Sequence, residues 1–342
     1  MHRPLRLTID RSAIQANWRW LQERAGVTAG AAVKANGYGL GARGVTEALI
    51  EAGCRDFFVS TWAEAGELGD LPEGASIVVL HGVGPGDVEA ALRMSARPCL
   101  NSAEQVARWK EIAPGRPCDV MIDTGMNRLG LRPTEIGVLD GVTIDTLHSH
   151  LARADEDSPM NAMQLERFRA VASAVPARRY SMANSAGICL GRDYSFDLVR
   201  PGLSLYGGVQ RAEAEGHIRQ VVRLEAQVVQ RRTIPAGETC GYGATFHADE
   251  DTEAAILNIG YADGYLRGFS SRGSAFAGEF ALPVLGRVSM DLLAVGCDAA
   301  PQLREGEWVE LDYDLPSASK QSGVAQYELL TTLGPRFERR WI

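Results

Sequence analysis

Lys34 closes the short apolar run Ala31-Ala32-Val33-Lys34, and Ala35-Asn36-Gly37-Tyr38-Gly39-Leu40-Gly41 follows at once. Lysine is rarely buried without a purpose, and desolvation lowers its pKa toward the range in which the neutral amine attacks a carbonyl. A lysine snorkelling out of a strand end would look the same in isolation. Arg128 stands in the turn-rich stretch Asp123-Thr124-Gly125-Met126-Asn127-Arg128-Leu129-Gly130, and Arg200 in Val199-Arg200-Pro201-Gly202. The planar guanidinium can take a carboxylate through two hydrogen bonds, although a lone loop arginine is more often a surface residue. Gly202 and Leu203, shortly after Arg200, could offer bare N–H groups to a phosphate.

The remaining motifs divide in the same way. His148-Ser149-His150 puts two imidazoles on one face of a strand, a spacing that can hold a metal. No Cys/His/Asp cluster nearby in sequence completes such a site, so histidines hydrogen-bonded in an active-site wall are the simpler reading and no metal is expected. Cys240-Gly241-Tyr242-Gly243 and Gly260-Tyr261-Ala262-Asp263-Gly264 each set a tyrosine beside glycines, either as plain turns or as tyrosines aimed at a ligand or partner. Gly39-Leu40-Gly41-Ala42-Arg43-Gly44 matches G-x-G-x-x-G literally, but Lys34–Tyr38 separate it from the preceding strand, and the second strand ends in Ser60 instead of an acid. A dinucleotide site is therefore rejected. No G-x-S-x-G nucleophile elbow is present.

The elements that must position these residues alternate from Ser12 to Arg200. Candidate strands are Ala31–Ala35, Asp56–Ser60, Ser76–Leu80, Pro98–Leu100, Asp119–Asp123, Thr143–His148, Tyr180–Ala183 and Asp197–Arg200, with helical patterns at Ala13–Arg24, Gly44–Ala52, Ala63–Leu68, Ala103–Ile112 and Ala162–Ala174. Eight strands with helical crossovers fit a (β/α)8 TIM-like barrel, with a doubly wound sheet as the alternative. Lys34, His81, Asp123, His150, Asn184 and Arg200 all fall at or just past strand ends, where a barrel gathers its catalytic groups. After Tyr206 the texture becomes short strand-like runs between glycine-rich turns, with one helical stretch near Gln326–Leu333. The reading is a barrel over 11–213 and a smaller, mainly β domain over 214–342, with Leu5–Ile9 a strand that would join the second.

Composition narrows the class. Acidic residues outnumber basic ones, 43 to 35, which argues against nucleic acid or an anionic membrane as partner. The six cysteines are scattered without a C-x-x-C pair, as thiols of a reducing compartment are. The first ten residues lack a signal-peptide pattern, and no apolar run approaches a bilayer span. The expected setting is the cytoplasm.

Taken together and in order, these motifs resemble the alanine racemase family, pyridoxal 5′-phosphate (PLP) enzymes with a barrel followed by a β domain. Seven segments carry the resemblance from Leu7 to about Trp341: Ala32–Gly39, Asp123–Gly130, Ala183–Ala186, Arg200–Gly207, Gly241–Thr245, Gly260–Gly264 and Gly286–Asp291. It implies PLP bound to Lys34 as a covalent aldimine. The phosphate would rest on Tyr38, Ser185, the amides of Gly202 and Leu203, and Tyr327. Arg200 would face the pyridine nitrogen with His150 hydrogen-bonded behind it, and Arg128 with the Met290 N–H would take the substrate carboxylate. Tyr242 would come from the other subunit of a head-to-tail homodimer, and Tyr261 would narrow the entrance. L-alanine would be racemised to D-alanine with Lys34 and Tyr242 as bases on opposite faces, for peptidoglycan or for alanine catabolism. Many family members carry a carbamylated lysine two residues before the aspartate of the D-T-G-M motif, and this chain has Met121 there. Competing readings are a serine, basic or broad-specificity racemase of the same fold, a non-catalytic PLP-binding barrel, and a barrel-type PLP decarboxylase. The β domain with Tyr242 counts against the binder, and the missing phosphate loop against the decarboxylase.

Overall fold

The computed structural model describes residues 2–342; Met1, part of the opening segment read for a signal peptide, lies outside them. Contacts divide the chain into two units. One is Ile14–Arg219; the other joins the opening segment through Ala13 to Gln220–Ile342. The division thus falls at Arg219, six residues beyond the boundary read at 213.

The first unit is built on short, parallel, mostly buried strands, as a sheet covered on both faces requires, with charged residues at several strand starts. Seven run in spatial order Ala31–Ala32, Asp56–Val59, Ser76–Val79, Arg97–Leu100, Cys118–Met121, Ile144–His148 and Arg179–Ser181. The eighth, Leu198–Val199, closes the ring. Asp197 N donates to Tyr180 O at 3.0 Å and Arg200 N to Ala183 O at 2.9 Å, while Gly30 N donates to Val199 O at 2.9 Å and Leu198–Val199 pairs with Thr28–Ala29. The barrel alternative is therefore the observed one. Crossover helices include Ala42–Ala52, Trp62–Leu68, Ala103–Ile112 and Pro159–Ala174. Trp62–Leu68 begins with a reciprocal cap: Thr61 Oγ1 accepts from Glu64 N, and Glu64 accepts from Thr61 N.

The N-terminal ends of the strands hold a cluster of ions. Arg179 grips Asp56 through two hydrogen bonds of 3.0 and 2.7 Å and also reaches Asp145 at 3.3 Å. Arg97 joins Asp119 (3.1 Å) to Asp145 (3.2 Å).

In the second unit the 13-residue strand Val222–Ile234 is the spine. Its first half alternates buried and less buried residues, the period-two pattern of a sheet with one covered face. It pairs antiparallel with Leu5–Ile9, Thr252–Leu257 and Trp308–Leu311, and Leu5–Ile9 pairs in parallel with Glu338–Trp341. The strand Ser274–Ala277 and the helix Leu315–Ser322 were not legible in sequence, being short and weakly patterned. No helix among the described residues is long and apolar enough to cross a membrane.

Arg179→Leu would leave the Asp56 carboxylate buried without its cation, at a cost of about 3–5 kcal/mol. The urea midpoint of barrel unfolding should fall accordingly, and the double change Asp56→Leu/Arg179→Leu should recover much of it. Equal loss in both variants would show that the pair is held for packing alone.

Candidate active site

At the C-terminal mouth of the barrel the chain leaves Ala31–Ala32, turns, and places Lys34 at the start of an unusual segment. Ala35, Asn36, Gly37 and Tyr38 have φ of 52, 54, 61 and 53°, one turn of left-handed helix. Each non-glycine residue in that region costs about 1–2 kcal/mol. Compensation is local: Glu64 accepts from Ala35 N at 2.8 Å and Ser60 N at 2.6 Å, Asn36 Oδ1 accepts from Ala42 N at 3.0 Å, and the Tyr38 ring stacks on Tyr206 at 4.5 Å. The turn carries Tyr38 to the loop after Arg200. A Cβ on Gly202 would lie 2.2 Å from Tyr38 Oη, so only glycine permits this approach. Ser185 Oγ joins them, accepting from Gly202 N (3.0 Å) and Ser204 N (3.2 Å). Tyr38, Ser185 and Gly202 therefore form one cradle, with Leu203 next in the chain.

Lys34 is half-buried with Nζ free of hydrogen bonds among the described residues. Burial first, then the positive charges of Arg128 and Arg200, pull its pKa below the ordinary 10.5, against the opposing pull of Glu64. Arg128 is exposed, and its guanidinium has no hydrogen bond among the described residues. Its loop is fixed through the backbone instead: Asp123 Oδ1 accepts from Gly125 N (2.9 Å) and Asn127 N (3.1 Å), and Asp123 N donates to Leu131 O (2.8 Å). Met121 is buried beneath Gly130.

Arg200 is 7% exposed. Nη1 donates to His148 Nδ1 (3.1 Å) and to Ser181 Oγ; Nη2 donates to Ser149 O (2.7 Å) and meets His150 Nδ1 at 3.5 Å. The nearer imidazole behind the guanidinium is thus His148, with His150 at the limit of contact. His148 Nε2 lies 2.9 Å from Asp119 Oδ2. Both its ring nitrogens are engaged, so the paired histidines do not open toward a metal. Among the described residues no group of three or more His, Cys, Asp or Glu could hold one. Burial and the Arg200 charge push His148 down to about 4 and His150 to about 3. Burial also lowers Arg200 to about 10, which leaves it cationic at neutral pH.

In the β unit three glycine-rich loops converge. Tyr242 sits between Gly241 (φ 76°) and Gly243 (φ 75°), conformations only glycine adopts without strain, and is 70% exposed. A Cβ on Gly243 would meet the Arg287 guanidinium at 3.0 Å. Tyr261 N donates to Ser289 O (3.0 Å) and Ala262 N to Met290 O (3.1 Å), so Tyr261 and Met290 lie on laced loops. Asp263 and Asp291 share Arg336, at 2.6 and 2.7 Å. Tyr327 lies partly exposed on the helix Gln326–Thr331.

Family models for the alanine racemase N-terminal and C-terminal domains match residues 9–210 and 221–341. This chain belongs to the alanine racemase family. A catabolic alanine racemase of Agrobacterium fabrum is 42% identical over 98% of this chain and 92% of that protein, and an alanine racemase of Methylobacterium nodulans is 41% identical over 98% and 96%. Among solved structures, alanine racemase from Bartonella henselae with covalently bound pyridoxal phosphate superposes with TM-score 0.93 at 36% identity over 99% of both chains. Biosynthetic alanine racemase from Pseudomonas aeruginosa gives 0.90 at 33% identity over 100% of both.

The chain is accordingly a racemase. The reading from sequence passed over Asp119 and Ser181, and took His148 only as a histidine hydrogen-bonded in an active-site wall. Asp119 had left a signal, a carboxylate inside the apolar run Cys118-Asp119-Val120-Met121. Ser181 left none, since a serine in a strand is commonplace.

With Lys34 lowered, acylation of its amine in cofactor-free protein should rise with pH along a curve whose midpoint lies below 10.5. Arg128→Met removes a lowering charge and should move that midpoint upward. Peptide mass spectrometry of timed labelling reads both, and a wild-type midpoint at or above 10.5 would contradict the electrostatic account.

Proposed function

We propose that this chain interconverts L- and D-alanine with PLP held covalently on Lys34 Nζ. The observation that carries the reading is the donor inventory of Arg200. Its four Nη–H bonds all have acceptors, while Nε–H has none among the described residues. One donor therefore remains for an acceptor placed against it, which an unprotonated pyridine nitrogen is. The rest of the cradle suits a phosphate. Ser185 Oγ accepts two backbone donors and keeps its own proton to give, and Leu203 N–H has no partner among the described residues. Tyr38 and Tyr327 would complete the phosphate contacts, whereas the Gly202 N–H expected there is already given to Ser185 Oγ. His150, with its side chain at the edge of Arg200, would stand beside the cofactor ring.

When bound, the cofactor draws electron density from Cα of the attached amino acid and makes its proton removable. Arg200 keeps its own proton at neutral pH, so the ring nitrogen would accept a hydrogen bond without gaining charge, which limits that withdrawal. Racemisation then needs one base on each face of Cα. Lys34 Nζ would serve one, helped by its lowered pKa. Tyr242 of the partner subunit would serve the other, and its exposed place between two glycines suits delivery to a second chain of a homodimer. Arg128 and the Met290 N–H, which has no acceptor among the described residues, would bind the substrate carboxylate, with Tyr261 limiting the space.

Relatives bear both catabolic and biosynthetic names, and D-alanine for peptidoglycan or alanine breakdown would use the same chemistry. Six free cysteines accord with a cytoplasmic setting. A broader substrate range is the second reading. The Arg128 guanidinium has no hydrogen bond or ion pair among the described residues, and Met121 cannot become a carbamate, so the carboxylate clamp would be looser.

Chiral analysis after incubating PLP-loaded protein with L-alanine, L-serine, L-lysine and L-arginine tests the substrate. Predominant D-alanine supports the first reading and comparable turnover of larger substrates the second; an inert PLP-loaded protein would remove both. Tyr242→Phe should retain PLP and lose about 10²–10⁴-fold in turnover. Undiminished turnover would remove Tyr242 from the mechanism.

A further inference from the structure

Arg200 is a buried cation with no carboxylate in contact. Its link to negative charge runs through one imidazole, and the hydrogen-bond chemistry of that link has a single solution. Arginine has no acceptor, so His148 Nδ1, 3.1 Å from Nη1, must present a lone pair. The ring proton then lies on Nε2 and points at Asp119 Oδ2, 2.9 Å away. Asp119 and His148 are both fully buried. The other carboxylate oxygen of Asp119 accepts from Arg97 Nε at 3.1 Å, and Arg97 also reaches Asp145, which pairs with Arg178 and Arg179. A continuous polar line thus runs up the barrel interior from its ion cluster to Arg200.

We infer that Asp119 and His148 are positioning residues for Arg200: the carboxylate fixes the Nε2–H tautomer of the imidazole, and the imidazole anchors Nη1 so that Nε–H is turned to the barrel mouth. The edge of Phe58 supports the arrangement, with its ring in T-shaped contact with His148 at 5.9 Å and Arg200 Cζ 6.0 Å above it. Without the carboxylate, either nitrogen of His148 could carry the proton, and the Nδ1–H form would set a donor against the Arg200 donor. The guanidinium would then turn away, and its Nε–H would be lost to the mouth. The inference rests on the reading that Arg200 faces the PLP ring for its effect on the cofactor, but the tautomer is a property of the protein alone.

Two measurements separate these levels. Long-range ¹H–¹⁵N spectra of histidine-labelled, cofactor-free wild type should show His148 neutral and protonated on Nε2 near pH 7, with assignment by His148→Leu. An Nδ1–H or doubly protonated ring overturns the inference, whatever the variants do. The second measurement is PLP affinity, read by absorbance titration of cofactor-free protein. Asp119→Leu and His148→Leu should each weaken binding by about 10–100-fold, the range for losing a hydrogen bond to a charged group. Asp119→Leu made in the His148→Leu background should add almost nothing, because Asp119 acts through His148. Additive losses would mean two independent packing defects and would reject the positioning role. If wild type binds no PLP, the cofactor reading falls and the tautomer spectrum decides the positioning role by itself. If wild type binds PLP and both variants bind it equally well, the cofactor reading stands and the inference falls. Should Asp119→Leu not fold, the wild-type spectrum and the His148→Leu titration still decide.

Discussion

A guanidinium held almost out of water is the constraint around which the barrel interior is arranged. Desolvating such an ion costs several kcal/mol even after relaxation, and that cost is offset only when its donors find well-placed acceptors. Arg200 meets the condition with acceptors from the ends of two neighbouring strands: Ser181 on one, and His148 with the following Ser149 and His150 on the other. No carboxylate touches it, which leaves the cation less neutralised than in an ordinary ion pair. An uncompensated positive charge next to the Lys34 amine is one of the causes that lower the amine's pKa, after burial and Arg128.

Local backbone strain serves the same mouth. The left-handed turn after Lys34 would not persist on its own, since Ala35, Asn36 and Tyr38 each sit where a Cβ is disfavoured. Glu64 holds it from the neighbouring crossover helix while also capping that helix, and Tyr206 holds Tyr38 by stacking. The result is a tyrosine hydroxyl pressed against the Cα of Gly202, an approach that regular right-handed helix would not reach. Strain here is paired with over-determination by surrounding contacts, as is common at functional sites.

The β unit solves a different problem, that of presenting side chains outward. Tyr242 at 70% and Met290 at 53% exposure stand out from the loops that carry them. Their loops are nonetheless braced, by the Arg287 side chain beside Gly243, by the laced backbone at Tyr261 and Met290, and by Arg336 bridging Asp263 and Asp291.

Much of this was legible in the sequence, because it is written in short-range patterns. Apolar runs spaced by amphipathic segments specify buried strands with crossovers, and the helix Ala103–Ile112 appears with the very bounds its pattern indicates. Residue order and glycine spacing drew attention to Lys34, Arg128 and Arg200, whereas Tyr38 and Ser185 were assigned roles only through the resemblance to the alanine racemase family. What stayed hidden depends on side chains distant in the chain meeting in the barrel. Asp119, His148 and Arg200 are joined across 81 positions, and neither residue-to-residue spacing nor propensity encodes which nitrogen of an imidazole faces which partner. The handedness of the turn after Lys34 was equally invisible, since Ala35 and Asn36 carry no mark of it and only the grip of Glu64 and Tyr206 makes it affordable. Chemistry-bearing residue types were thus settled by the sequence, whereas their protonation, bracing and free donors were decided by tertiary structure, because those properties depend on what surrounds a group in space.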